Sequence, residues 1–135
     1  MAHNFKLFPE LTNSQMEFYY WDSPHKQILE DFPAKVIRVI DGDTIEVETD
    51  FRDFKFPIRF ANTAAPELDE EGGLESKNWL ETQILNEEVM ILIDPKHRVG
   101  KFGRILGEVL FLGMNINEAS MTWGQAIPFG QEPII

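Results

Sequence analysis

Ile58-Arg59-Phe60-Ala61-Asn62-Thr63-Ala64-Ala65-Pro66-Glu67 runs out of an apolar strand into a loop, and its reading decides both the fold and the candidate chemistry. Phe54, Phe56, Ile58 and Phe60 recur at every second position and so share one face of an extended segment. The same period turns Arg59 to the opposite face. A guanidinium there presents paired donors to two oxygens of a phosphate, which lysine does not do. Glu67 follows eight residues later and opens the acidic run Asp69-Glu70-Glu71, so it reads either as part of a solvated acidic loop or as a positioned base.

Outward from this stretch the pattern is β on both sides. Upstream, Val36, Val39, Ile40, Ile45 and Val47 surround Asp41-Gly42-Asp43, and an aspartate-glycine pair between apolar runs signals a tight turn. Turn chemistry alone accounts for Asp41, because aspartate bonds readily to nearby backbone groups. Downstream, a turn-rich loop runs from Ala61 to Gly73. The spacing then predicts an amphipathic helix over Leu74 to Asn86, with Leu74, Trp79, Leu80, Ile84 and Leu85 as its buried stripe. Val89 to Ile93 and Arg104 to Leu112 read as two further strands. Asn117 is expected to cap a short helix ending at Trp123 and Gly124, with Trp79 and Trp123 both assigned to packing. Three strands, a helix, two strands and a helix make an α+β domain, and short strands with a helix after the third suit an OB-type barrel.

Residues 1–33 read as an N-terminal extension to a domain over 34–129, and 130–135 as a C-terminal tail. Within the extension, Ser14-Gln15-Met16-Glu17 matches a capping box. Phe18-Tyr19-Tyr20-Trp21 is expected to pack against the domain, with a nucleic-acid stacking surface as the alternative. Met1-Ala2-His3-Asn4-Phe5-Lys6 contains no apolar signal-peptide region, so a soluble protein, cytoplasmic or within a larger assembly, is expected.

Composition narrows the function. A chain of 135 residues with 43% hydrophobic content and 11 Phe supports one cored domain. The absence of cysteine removes thiolate metal sites and cysteine nucleophiles. A net charge of −11 argues against general nucleic-acid affinity, which depends on lysine and arginine displacing counterions. Yet Lys96, Arg98, Lys101 and Arg104, a third of the 12 Lys and Arg, fall with His97 between Pro95 and Arg104 without an intervening acid. That run reads as a solvated basic loop or as a cationic mouth for phosphate. Arg104 opens an apolar strand directly after Gly103, whose missing side chain lets another group approach closely. His3, His25 and His97 have no ligand or triad spacing.

From Ala34 to Phe129 the chain resembles the staphylococcal nuclease (thermonuclease-like) family. The resemblance rests on Val39-Ile40-Asp41-Gly42-Asp43-Thr44, on Arg59 through Ala65-Pro66-Glu67, on Gly100-Lys101-Phe102-Gly103-Arg104 and on Asn117-Glu118-Ala119, in that order. It implies a five-stranded OB-type barrel with three helices and a metal-dependent, usually Ca²⁺-dependent, hydrolysis of DNA or RNA. By position, Arg59 and Arg104 would be the catalytic phosphate-binding arginines and Glu67 the carboxylate that activates water. Asp43 would be a metal ligand, Asp41 less so, and Lys101 a phosphate contact, with Arg98 and Lys96 beside it. The family usually has aspartate where this chain has Ala64, and often tyrosine where it has Phe102, so any Ca²⁺ is expected to be weakly bound. Single-stranded nucleic acid is the expected substrate. The competing expectations are a catalytically impaired module with an assembly role, docked on a protein partner through the aromatic segment or the C-terminal tail, and a binder of anionic ligands.

Overall fold

The computed structural model describes residues 3–100 and 103–130. Five strands close into a barrel: β1 (Phe32–Asp41), β2 (Thr44–Glu48), β3 (Phe56–Phe60), β5 (Glu88–Leu92) and β6 (Ile105–Phe111). β1 pairs antiparallel with β2 and β5, β2 with β3, and β5 with β6. A parallel pairing of β3 with β6, Ile58 opposite Ile105 and Arg59 opposite Leu106, makes the closure. This is the OB-type α+β fold that the element order predicted. A two-residue β4 (Thr63–Ala64) pairs with β8 (Ile127–Pro128), and β7 (Met114–Asn115) extends β6 as a hairpin.

Alternation explains what is buried. Phe56, Ile58 and Phe60 fill the barrel together with Ile45, Val47, Ile91, Ile105 and Val109, each at most 3% exposed. β1 buries Phe32, Ala34 and Val36 and then, out of phase, Val39. A β-bulge between Val36 and Arg38 supplies the extra residue that changes the parity.

Among the described residues, three α-helices complete the fold: α1 (Asn13–Tyr19), α2 (Gly73–Ile84) and α3 (Ile116–Thr122). α2 buries Leu80 and Ile84 as expected, but Leu74 is 61% exposed, because the buried stripe runs through Gly73, Ser76, Leu80 and Ile84 and Leu74 lies off it. The capping box of α1 is Thr12 with Gln15, not Ser14 with Glu17: the Gln15 N–H donates to Thr12 Oγ1, and the Thr12 N–H to Gln15 Oε1. α3 is capped by Asn115, not Asn117. The Asn117 amide is buried instead, accepting from the Val109 N–H at 3.0 Å and donating to the Ala61 carbonyl at 2.9 Å, so it ties α3 to the barrel. Trp123, at the end of α3, is 68% exposed rather than packed.

The N-terminal segment is stitched to the barrel. Leu11 and Ile28 are fully buried, and the Ile93 N–H donates to Asp31 at 2.7 Å. At its centre Glu10 lies between Arg52, from the β2–β3 loop, and Arg98, all three buried. Arg98 donates to the Ile28 and Leu11 carbonyls at 2.7 and 2.8 Å. The aromatic run divides. Phe18 and Trp21 are 75% and 92% exposed, against the expectation of packing, because α1 buries none of its residues. Tyr19 turns inward to the His3 ring at 5.7 Å.

Candidate active site

The site forms where the β1–β2 turn meets the β3–β6 seam. β1 and β2 join through Gly42 and Asp43, with Asp41 opposite Thr44. Gly42 is required here for space: a Cβ would lie 2.0 Å from Ser76 Oγ of α2 and 2.7 Å from the Ala65 Cβ. Its absence lets the turn, α2 and the segment after β4 close on one another. Asn62, in the left-handed region at φ 63°, reverses the chain between β3 and β4 and delivers Ala65 to the turn.

Asp43 is the hub. Its side chain is nearly buried, with Oδ2 accepting from the Ala65 N–H at 2.8 Å and Oδ1 from the Thr44 hydroxyl at 3.1 Å. Arg59 Nη2 lies 3.3 Å from the same Oδ2. Burial first, then the neighbouring Asp41 carboxyl, push the Asp43 pKa up to about 6, against the pull of the Ala65 N–H and the Arg59 guanidinium. Asp41 accepts from the Asp43 N–H at 3.1 Å, the turn bond expected of it.

Arg59 projects outward from β3 as its alternation requires. Nη1 donates to the Phe60 and Thr63 carbonyls at 2.8 and 2.7 Å, which locks the head group in place. The Nε–H and one Nη2–H make up the remaining edge of the guanidinium, a fork suited to two phosphoryl oxygens. Arg104 directly precedes β6, and strand parity carried back from Leu106, the register partner of Arg59, puts it on the outer side of the seam, with its Nε buried. One inter-strand spacing and two residues of rise put the two Cα atoms roughly 8 Å apart, within joint reach of one phosphate.

The other expected site residues are spread unevenly. Glu67 is exposed, two residues beyond the Ala65 that contacts Asp43, and Gly73 packs directly on its carbonyl, which anchors the loop to α2. Lys96 is exposed in a turn closed by Asp94. Arg98 corrects the sequence reading: it is 2% exposed and turned into the N-terminal segment, so it binds carbonyls and Glu10, not phosphate. Burial holds its pKa below the usual arginine range, with Glu10 opposing that shift. A basic run cannot disclose which of its members points inward; the paired signal was Glu10, an acid set between Pro9 and Leu11. Lys101 and Phe102 lie outside the described residues, as does the tail beyond Gly130. Concavities of about 580 and 400 Å³ sit around Arg52, Asp50 and Asp53, at the far end of β2 from Asp43, and take no part in this constellation.

The chain is 33% identical over 102 residues, 75% of its length, to an uncharacterized endonuclease of Escherichia coli, and 32% identical over the same length to one of Escherichia coli O157:H7. A micrococcal nuclease of Shigella flexneri is 32% identical over 79 residues, 58% of this chain and 42% of that protein. The chain belongs to the staphylococcal-nuclease-like family. It spans 63% of the length of the two endonucleases. No protein-family model matches it.

Membership in this family raises the question of a divalent cation. Asp41 and Asp43 offer adjacent carboxylates, and burial, with Asp41 beside it, makes the Asp43 negative charge costly, a cost that a cation would relieve. Against this, Asp43 already faces three donors, and Ala64 is a buried methyl where a further oxygen would be needed. Ca²⁺ takes about six to eight oxygens. Among the described residues, no three His, Cys, Asp or Glu side chains gather to hold a metal. Asp41 and Asp43 alone supply fewer oxygens than such an ion takes.

Proposed function

We propose that this nuclease-family chain is a phosphodiesterase acting on DNA or RNA, with single strands preferred because a shallow outer face cannot grip a duplex groove. The observation that carries the reading is the pairing of β3 with β6, which sets Arg59, beside Asp43, across the seam from the strand that Arg104 opens. The free edge of Arg59 binds two phosphoryl oxygens, and Arg104 stabilises the negative charge that accumulates as phosphorus becomes five-coordinate. Glu67 takes a proton from water, the oxygen attacks phosphorus in line, and the opposite P–O bond breaks, the sugar oxygen leaving with a proton from solvent. A divalent cation, Ca²⁺ by the resemblance, would be held weakly by Asp41 and Asp43 and would add charge neutralisation at a phosphoryl oxygen.

The test is cleavage of single-stranded DNA with Ca²⁺ and other divalent ions, run beside Glu67→Gln. Loss of the general base is expected to slow cleavage roughly 10²- to 10⁴-fold. Equal nicking by both proteins would identify a contaminant and overturn the reading. A second reading, a module that binds without cutting, is favoured by the buried Ala64 and by the exposure of Phe18 and Trp21. Its signature is nucleic-acid or protein binding with no cleavage under any divalent ion.

A further inference from the structure

The N-terminal segment approaches the phosphate-binding loop at one point. Gly103, immediately before Arg104, has φ 71°, and a Cβ on it would lie 3.2 Å from Cδ1 of the Phe8 ring. Phe8 therefore rests on the glycine that precedes the second arginine of the site. Its ring is held by its own backbone, since the Phe8 N–H donates to the Asn4 carbonyl at 2.9 Å and His3 Nε2 meets the Phe8 carbonyl at 2.7 Å. The His3 ring stands 6.5 Å from Phe8 and 5.7 Å from Tyr19, so three rings gather here. Phe8 nevertheless keeps 42% of its surface open.

The same hairpin fixes the position of this cluster. Gly100 and Arg104 are joined through the Gly100 N–H and the Arg104 carbonyl at 2.8 Å. Two residues before Gly100, Arg98 donates to the Leu11 carbonyl and to Asn13 Oδ1. Asn13 in turn donates to the Pro95 carbonyl at 3.0 Å. The loop that presents Arg104 is thus bonded, on its N-terminal side, to the segment that presents Phe8.

We infer that Phe8, backed by His3 and Tyr19, is a stacking platform for a nucleobase next to the phosphate held by Arg104. The inference rests on the hydrolytic reading for the location of that phosphate. An open aromatic face stacks any base, so the platform adds affinity without sequence preference, and a single strand supplies the unpaired base it needs. This also addresses a problem of charge: on a body of net charge −11, stacking recovers affinity that counterion release cannot supply.

The experiment measures equilibrium binding of a short fluorescent single-stranded DNA, by anisotropy at low salt, to the full chain and to Phe8→Leu. Leucine keeps an apolar contact on Gly103 but has no π face, so the fold is preserved, which a melting curve verifies. Binding is expected to weaken roughly 5- to 100-fold in Phe8→Leu and to be restored in Phe8→Trp. The wild-type protein should lose a similar factor on a strand with one abasic position at the site, whereas Phe8→Leu should be indifferent to it. An RNA strand of the same sequence tells whether the ribose matters beside the base. Unchanged binding in Phe8→Leu, or no binding by the wild-type protein, would overturn the platform. Base-dependent binding without cleavage would instead overturn the hydrolytic reading and leave the platform standing.

Discussion

Among the described residues, two largely buried arginine–carboxylate clusters stand at opposite ends of β2, about 17 Å apart by its five residues. At one end Glu10 is enclosed by Arg52 and Arg98; at the other, Asp43 meets Arg59. Both arginine groups also donate to backbone carbonyls. The difference lies in what surrounds them. Arg52 is boxed by Phe51, Phe54 and Phe56, with ring centroids 4.6 to 5.9 Å from its guanidinium carbon, and donates to the Lys26 carbonyl. Burial lowers the pKa of Arg52 and Arg98 while Glu10 opposes the shift, as expected of charges locked inside a structure. Arg59, by contrast, is held on three sides and open on the fourth. A fixed head group with one free donor edge is what anion binding requires, so the geometry of the remaining edge, and not the presence of a partner, separates the two roles.

The comparison predicts a double dissociation. Arg98→Met removes a charge from a dry cluster and leaves Glu10 short of a partner, so the fold should lose about 3 to 5 kcal/mol, read as a lower midpoint in urea. Arg59→Met should lose less, about 1 to 2 kcal/mol, because Asp43 keeps its hydrogen bonds from the Ala65 N–H and the Thr44 hydroxyl when the guanidinium is removed. Cleavage should show the opposite order, with Arg59→Met nearly inactive and Arg98→Met active at temperatures where it is folded. Equal stability losses would mean that the two clusters do the same work.

How far the sequence could disclose this division follows from what each signal measures. The barrel was legible because Phe56, Ile58 and Phe60 alternate, and alternation is a local consequence of strand geometry. The outward aim of Arg59 was legible for the same reason. Arg98 was not, because its direction depends on Glu10 and on two carbonyls more than 60 residues away, Leu11 and Ile28. Gly103 was read as a point of close approach, and the approaching group is Phe8, from a segment that proline punctuation had set apart as an extension. The caps misled by proximity: Ser14 and Asn117 each stand two residues beyond the true cap, Thr12 and Asn115. A shift of that size is small for a helix boundary but decides which side chain faces the barrel.

Ala64 sharpens the open end of the comparison. Its peptide bond to Ala65 presents the N–H that Asp43 accepts, so a side chain there is adjacent to the Asp41–Asp43 pair. Ala64→Asp adds a third carboxylate to a nearly buried site. Without cation the variant should melt lower than the wild-type protein. With Ca²⁺ it should recover, binding the ion roughly tenfold or more tightly, about 1.4 kcal/mol by calorimetry, and cleaving faster. No gain in either property would show that the Asp43–Arg59 contact has replaced the metal site.

The smallest effect tests Asp43 alone. Its pKa rises from an ordinary 3.8 to about 6 on folding, so between those values the folded protein binds a proton that the unfolded chain has released. Stability from this group is therefore fully present below about pH 4 and is lost as pH climbs through about 6. Asp43→Asn has no proton to lose and should flatten the fall in melting temperature across that window. The shift, in which the attraction to Arg59 is already counted, sets an upper bound of about 3 kcal/mol, and an amide reproduces a protonated carboxyl only in part. A net gain of about 1 kcal/mol at pH 7 is expected, the amide oxygen still accepting from Ala65. The equivalent change at the other end, Glu10→Gln, should cost stability, because two buried guanidinium groups would then share no anion. Opposite signs from two carboxylate-to-amide changes would fix the contrast: the Glu10 carboxylate holds two arginines inside the fold, whereas the Asp43 charge is carried at the expense of the fold, beside an arginine with an open donor edge.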